Sequence, residues 1–247
     1  MGNSPLVNYT RISPNKTSPR NHEIDTITIH CVVGQLSVER IGELFANSKA
    51  QASSNYGIGY DGRVGLYVEE KDRSWCSSNK SNDHRAITIE VASDTKHPYV
   101  INKAAYKTLI DLVADICSRN NIKSLKWKGD KSLIGNVSEQ NMTAHRWFAN
   151  KACPGDYIYN RLGVIADEVN MKLGAFKPYS VKVETDTLNI RTGPGTTFGK
   201  TGSYTGKGVF TIVEVQNGVG SMSGWGLLKS YSKNRNGWIS LDYATKL

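Results

Sequence analysis

A β-branched stretch of the chain, Thr26-Ile27-Thr28-Ile29-His30, alternates hydroxyl and aliphatic side chains and ends in a histidine. Such alternation favours a strand, so the stretch predicts a strand whose end presents His30. A second stretch, Ala86-Ile87-Thr88-Ile89-Glu90-Val91-Ala92, has the same pattern and predicts another strand, which carries Glu90. Helical patterns lie between and after these strands. Together they predict an α/β fold, with a mixed β-sheet and flanking helices, over about residues 20–173.

Three further patterns complete the expected architecture of this part of the chain. Asp61-Gly62 lies between two strand-like runs and predicts a hairpin turn. The clearest helix pattern runs from Asn102 to Asn120, with apolar residues along one face. Residues 1–22 are rich in serine, proline, asparagine and basic residues, and they predict an extended arm with a positional role only.

A later segment, Thr143–Gly155, adds two groups that bind metals. His145 and Cys153 are eight residues apart in it, further than one helical turn, so a loop has to fold the thiol back towards the histidine. The Pro154-Gly155 pair fits such a turn. Zinc is held by histidine nitrogen and cysteine sulfur, and a catalytic site uses three protein ligands. With His30, these side chains predict a catalytic Zn2+ site.

Each of these residues also has a simpler interpretation. Considered one at a time, His30 can be interpreted as a hydrogen-bonded core histidine and Cys153 as an inert buried thiol. Glu90 alone is a solvent-facing glutamate on a sheet surface. A purely structural zinc site needs a fourth protein ligand, which His84 or Cys76 could provide. These alternatives stay open at the level of the sequence.

Five motifs carry a resemblance to one family: His30 at its strand end, the hairpin of residues 55–62, the strand of residues 86–90, the pair His145-Arg146, and Lys151-Ala152-Cys153-Pro154-Gly155. They resemble the zinc-dependent N-acetylmuramoyl-L-alanine amidases, which include bacteriophage endolysins, bacterial autolysins and peptidoglycan-recognition proteins. The resemblance implies hydrolysis of the amide between the lactyl group of N-acetylmuramic acid and the L-alanine of the peptide stem in bacterial peptidoglycan.

The resemblance also implies a role for each candidate residue. The metal ligands would be three side chains, His30, His145 and Cys153. Glu90 matches the glutamate of the family's Ile-x-Ile-Glu strand, so it would take a proton from the attacking water and pass it to the leaving amine. Lys151 would stabilise the oxyanion of the tetrahedral intermediate.

The chain departs from the family at two positions. Some members carry a catalytic tyrosine where this chain has Ser54, and serine cannot replace a phenol that stabilises an oxyanion. Tyr56 aligns two places later, where a core or groove-wall role is expected. Many members have a Trp-His pair where this chain has Trp75-Cys76, which leaves the role of Cys76 open. A recognition protein that binds muropeptide without cleaving it is a further alternative, but such members lack the cysteine ligand that Cys153 provides.

The last part of the chain has a different pattern. After the predicted boundary at Gly174–Pro178, short strand-like runs alternate with glycine-rich turns, which predicts a small all-β barrel. Leu188–Gly195 and Gly237-Trp238-Ile239 resemble the bacterial SH3-like cell-wall-binding modules. We therefore predict a zinc amidase domain in residues 1–175 and an SH3-like cell-wall-binding domain in residues 179–247.

The charge and the N-terminus indicate partners and location. The formal net charge is +9, and residues 176–247 contain 9 basic and 4 acidic side chains, which favours a polyanionic partner. No arginine cluster with interleaved aromatic residues indicates nucleic acid, so wall polymers are the expected partner. No run of eighteen apolar residues predicts a membrane span, and the N-terminus lacks the features of a signal peptide. The pattern predicts synthesis in the host cytoplasm and action at the wall after release, as in a phage or prophage endolysin; a bacterial autolysin is the alternative.

Overall fold

The computed structural model of the protein describes residues 2–229 and 236–247. It divides into two compact units, Met1–Leu162 and Gly163–Leu247. The boundary predicted at residues 174–178 lies further along the chain and stays a prediction. None of the described helices is both long and apolar enough to cross a lipid bilayer.

The first unit combines strands and helices. Its strands are β1 (Val7–Thr10), β2 (Lys16–Thr17), β3 (Thr26–Val33), β4 (Tyr56–Ile58), β5 (Val64–Leu66), β6 (Arg73–Ser74), β7 (Ala86–Ser93) and β8 (Met142–Thr143). Its helices are α1 (Val38–Ala46), α2 (Lys80–Arg85), α3 (Lys103–Arg119) and α4 (Gly155–Tyr159), and α5 (Leu162–Lys172) begins at its last residue. Short 3-10 helices span Ser48–Ala50, Lys131–Leu133 and His145–Trp147.

The main sheet has the order β1-β5-β4-β7-β3-β8. β3 and β7 are parallel along their whole length, whereas β4 and β5 are antiparallel and joined by the turn at Asp61-Gly62. The mixed sheet with helices and the hairpin are therefore confirmed. The register of β3 on β7 sets His30 directly opposite Glu90.

The two faces of these central strands differ in chemistry. Ile27, Ile29, Ile87 and Ile89 are fully buried and form part of the aliphatic core. The alternate positions carry polar side chains that are also buried. Thr28 hydrogen-bonds Thr143 (2.7 Å) and Thr88 hydrogen-bonds Ser74 (2.7 Å) through their hydroxyl groups. Because side chains alternate along a strand, His30 and Glu90 continue this polar row in the carboxyl-terminal halves of β3 and β7.

Helix α3 packs its predicted stripe into the core. Asn102 caps its first turn by accepting the amide of Ala105 (2.9 Å), and Asn120 ends it. Leu109 and Ile116 are fully buried. The helix predicted between Asn102 and Asn120 is thus confirmed.

The N-terminal arm contributes one strand to the main sheet and one to a separate two-stranded sheet. β1 pairs in parallel with β5 at one edge, and β2 pairs with β6. The guanidinium of Arg20 donates hydrogen bonds to the carbonyl oxygens of Glu70 (2.6 Å), Asp72 (3.0 Å) and His84 (2.7 Å). The sequence predicted only a positional role, because polar segments without periodicity give no local sign of a strand at a sheet edge.

The second unit contains the strands β9 (Tyr179–Val183), β10 (Asn189–Arg191), β11 (Lys200–Tyr204), β12 (Gly208–Gln216), β13 (Trp225–Leu228), β14 (Trp238–Ser240) and β15 (Ala244–Lys246). They form one sheet in the order β11-β10-β14-β13-β12-β9-β15. Its core includes Val181, Ile190, Ile212 and Ile239. A separate all-β sheet is confirmed, and its closure into an SH3-like barrel stays a prediction.

Candidate active site

His30 and Glu90 lie side by side in the carboxyl-terminal halves of the central strands β3 and β7, which continue for three residues beyond the predicted strand end at His30. His30 is fully buried, and Nε2 of His30 and Oε2 of Glu90 are shielded from solvent without a hydrogen-bond partner among the described residues. A buried polar atom without a partner costs about 1–3 kcal/mol, so two of them at adjacent positions call for an explanation. A role of these two atoms in metal binding or catalysis would explain why they lack hydrogen bonds.

The segment after β8 brings His145 and Cys153 to the same place. β8 pairs in parallel with β3, which positions the following 3-10 helix and His145 beside the end of β3. The backbone amide of Arg146 donates to the carbonyl oxygen of Cys153 (3.1 Å) and so closes the loop between them. The predicted return of the thiol towards the histidine is confirmed.

The resulting group fits the donor set of one zinc ion. The ligand atoms of His30, His145 and Cys153 all lie within 4.8 Å of one another. Cys153 Sγ is 3.3 Å from His30 Nδ1. Tetrahedral zinc with bonds of about 2.0 Å to nitrogen and about 2.3 Å to sulfur separates these atoms by about 3.5 Å, close to the observed distance.

The alternative of four protein ligands receives no support. In the part of the chain that the structure describes, neither His84 nor Cys76 joins the group of His30, His145 and Cys153. His84 lies elsewhere, where its Nδ1 accepts the backbone amide of Asn21 (3.0 Å). Three ligands are the number that leaves a coordination position open for catalysis.

Burial keeps both imidazoles in the form that binds metals. It lowers the pKa of His30 well below its ordinary value, and the neighbouring His145 lowers that pKa further. The pKa of His145 is lowered by burial and by the positive charge of Lys151. Both rings are therefore neutral at neutral pH, and a neutral ring nitrogen is a metal ligand.

Unlike the two imidazoles, the Cys153 thiol is not in the protonation state that binds metals. A hydrogen bond with Cys31, burial and the charge of Glu90 raise its pKa, so without a cation it stays protonated. A coordinating metal cation deprotonates a thiol outright, which reverses this effect. Cys31, the residue after His30 in β3, is partly exposed and lies next to Cys153.

Glu90 is poised between its two protonation states. Burial raises its pKa to about 7, and a hydrogen bond from Cys76 opposes the rise. The thiol of Cys76 lies 3.8 Å from Oε1 of Glu90. A carboxylate with a pKa near neutrality is suited to general acid–base catalysis. The alternative of a solvent-facing glutamate is wrong, since Oε2 is buried.

Lys151 is exposed at the rim of the site. Its backbone amide donates to the carbonyl oxygen of Ala149 (2.8 Å), which holds the tight turn before Cys153. Its positive charge lies near enough to His145 to lower the pKa of that imidazole. Lys151 thus supplies a cation beside the candidate metal ligands.

One neighbour of the site was missed from the sequence. Ser78 Oγ lies 3.1 Å from His145 Nε2. Its backbone is left-handed (φ 61°), which costs a residue other than glycine about 1 kcal/mol and often marks a functional site. A serine-rich turn before α2 gave no sign of this contact, because it joins residues far apart in the chain.

Ser54 and Tyr56, at and near the position of the family's tyrosine, both have structural roles. Ser54 is buried, and its hydroxyl donates to the carbonyl oxygens of Tyr56 (2.6 Å) and Thr88 (3.0 Å). Tyr56 is a core residue, since its hydroxyl donates to Glu70 (2.6 Å) and accepts the amide of Ser4 (2.8 Å). Neither residue replaces a catalytic phenol.

Fold and site together define a mixed α/β protein with a His–His–Cys group beside the carboxyl-terminal half of its central strand β3. Residues 20–156 match the family model described as N-acetylmuramoyl-L-alanine amidase, which spans more than half of the 247 residues. The chain therefore belongs to the N-acetylmuramoyl-L-alanine amidase family, whose substrate is peptidoglycan. No curated protein matches it.

Several solved structures are similar to the chain. The endolysin and N-acetylmuramoyl-L-alanine amidase LysCS from Clostridium intestinale URNW is 18% identical, with a TM-score of 0.45 over 69% of this chain and 94% of that one. PlyL is 14% identical, with a TM-score of 0.49 over 65% and 95%. A mutant endolysin from Bacillus subtilis is 16% identical, with a TM-score of 0.47 over 66% and 99%. None of them assigns a role to a residue of this chain.

Proposed function

We propose that the protein is a zinc-dependent endolysin that hydrolyses the amide between N-acetylmuramic acid and L-alanine in bacterial peptidoglycan. The observation that carries the proposal is the convergence of His30, His145 and Cys153 beside Glu90 in a chain of the amidase family. The deciding experiment measures the release of new N-terminal alanine from purified cell walls, with and without a chelator. Release that a chelator abolishes and zinc restores supports the proposal, and release of reducing sugars instead would contradict it.

In this proposal His30, His145 and Cys153 hold the zinc ion. Zinc supplies a Lewis acid that polarises a carbonyl group and makes water ionise near neutral pH. Glu90 accepts the proton of the attacking water through its carboxylate and delivers it to the nitrogen of the leaving L-alanine. A raised pKa suits this exchange, because the group has to take up a proton and release it again. The fold orients these groups, because the pairing of β3 with β7 sets His30 opposite Glu90.

Lys151 carries the second catalytic role. The tetrahedral intermediate of amide hydrolysis bears a negative oxygen, and an ammonium group at the rim of the site stabilises it more strongly than the neutral carbonyl of the substrate. The exposed position of Lys151 beside His145 supports this assignment.

We expect Lys151→Ala to reduce kcat about a hundredfold with little change in KM on a soluble muropeptide, because an oxyanion donor acts mainly in the transition state. Lys151→Arg keeps the charge and serves as the matched control, with a smaller loss. Lys151 is exposed, so neither change should affect the fold. A rise in KM at unchanged kcat would assign Lys151 to substrate binding instead.

The second unit is proposed to retain the enzyme on the wall. It contains an all-β sheet without a described metal-binding group of histidine, cysteine or acidic residues, and residues 176–247 are basic. Many weak contacts with polyanionic wall polymers combine when enzyme and substrate share one surface.

We expect residues 1–175 alone to cleave soluble muropeptide at the rate of the full chain but to sediment less with cell walls and to lyse intact Gram-positive cells more slowly. Residues 179–247 alone should sediment with walls and cleave nothing. The measurement compares turbidity loss of whole cells across a range of salt concentrations. Equal lysis by the shortened and the full chain at every salt concentration would refute the targeting role. Secretion to the growing wall without lysis would favour an autolysin.

A further inference from the structure

A second group of metal-binding side chains lies next to the first. The ligand atoms of His30, Cys76 and Glu90 are all within 4.8 Å of one another. An imidazole, a thiol and a carboxylate are three donors that zinc accepts. The group shares only His30 with the proposed catalytic centre, and neither the sequence patterns nor the proposed function accounts for Cys76.

Two buried atoms of this group have no hydrogen-bond partner among residues 2–229 and 236–247. One ring nitrogen of His30, Nδ1, lies 3.3 Å from Cys153 Sγ, and the other, Nε2, is buried without a hydrogen bond. Oε2 of Glu90 is likewise buried without a hydrogen bond, while Oε1 of Glu90 is 3.8 Å from Cys76 Sγ. The two nitrogens of an imidazole point in different directions, so Nε2 is available to a second cation while Nδ1 serves the first.

The surroundings of Cys76 favour a cation and fix the position of the thiol. The buried carboxylate of Asp83 accepts the backbone amides of Cys76 (3.0 Å) and Ser77 (3.2 Å), which holds the turn that carries the thiol. Two carboxyl groups, those of Glu90 and Asp83, therefore lie close to Cys76. A divalent cation bound there would deprotonate the thiol.

We propose that His30, Cys76 and Glu90 form a second, inhibitory site for a thiophilic divalent cation such as zinc. Two cations on one imidazole require that the ring lose its remaining N–H proton, so the second ion binds more weakly and only at metal excess. An ion in this site engages the carboxylate of Glu90. The group proposed as general base is then no longer able to accept a proton from water.

Cobalt(II) tests the site without any activity measurement, because a cobalt–thiolate bond gives a charge-transfer band in the near ultraviolet. In the full-length chain, His145→Ala combined with Cys153→Ala removes two of the three ligands of the first centre. We expect this double variant to retain a cobalt–thiolate band, since Cys76 remains. Adding Cys76→Ala should reduce the band to background.

Cys31→Ser in the same double variant is the matched control, because Cys31 lies beside Cys153 but belongs to neither group. It should leave the band intact. Absence of the band from the folded double variant, or its loss on Cys31→Ser and not on Cys76→Ala, would overturn the proposal. Circular dichroism of each variant confirms that the fold is kept.

A second measurement uses single changes only, so it does not depend on the folding of the double variant. Turnover of soluble muropeptide is measured for the wild-type protein and for the single variant Cys76→Ala, from one zinc equivalent per chain to a large excess. Each protein is compared with its own rate at one equivalent. We expect at least about a tenfold inhibition that Cys76→Ala removes. Equal inhibition of both proteins would contradict the second site. Failure of the proposed catalytic function is distinct from this outcome, because it would appear as no turnover at one equivalent.

Discussion

Alanine in place of His30, His145 or Cys153 is expected to abolish wall hydrolysis. Each change leaves two of the three proposed protein ligands, and an incomplete set neither holds zinc tightly nor orients it. The loss should exceed the factor of about 100 that removal of a residue supporting a metal ligand costs. The measurement pairs release of N-terminal alanine with zinc content per chain after gel filtration.

The three variants should differ in zinc content. His30→Ala removes the side chain that both proposed groups share and should bind the least zinc. Cys117→Ala is a suitable control, because its thiol is buried in α3 and belongs to neither group. Wild-type zinc content in all three ligand variants, or wall hydrolysis by any of them at the rate of the control, would refute the assignment.

Glu90→Gln is expected to reduce turnover at least about a hundredfold while zinc content and fold are kept. Glutamine has nearly the same size as glutamate but cannot accept a proton at neutral pH. Near-normal activity of this variant would remove Glu90 from the mechanism. Glu69→Gln, which changes a carboxylate in the β5–β6 connection, is the matched control and should be close to wild type.

The pH profile gives an independent test of the same residue. The pKa of Glu90 is raised to about 7, so the carboxylate becomes protonated as the pH falls through that value, and a protonated group is no base. Bound zinc favours the charged form and moves the midpoint lower. We therefore expect kcat/KM to fall below a midpoint at or under pH 7, and this limb to be absent from Glu90→Gln. An identical acidic limb in both proteins would assign the titration to another group.

The sequence determined the local elements of the site but not their arrangement. Alternation of threonine and isoleucine identified the strands β3 and β7, since a period of two is a local property. Their parallel pairing and the register that sets His30 opposite Glu90 depend on residues sixty positions apart. Only the resemblance to a family connected the two segments before the structure did.

The polar contacts around the site are the part that sequence patterns could not predict. Asp83 holds the turn at Cys76 through two backbone amides, and so brings the thiol to Glu90. Nothing in the serine-rich segment indicates that a carboxylate further on accepts its amides. Tyr56 is a similar case, because its buried hydroxyl donates a hydrogen bond to Glu70, and no local pattern links these two residues.

The attachment of the N-terminal arm affects where this enzyme can be shortened for biotechnological use. The family match begins at residue 20, whereas β1 covers the outer edge of β5 and Arg20 ties the arm to three backbone carbonyl groups. A fragment cut to the family limits would expose the unpaired amides and carbonyls of β5, and an open strand edge recruits other chains. Such a fragment would be prone to precipitate during purification, even though every proposed catalytic side chain is present in it.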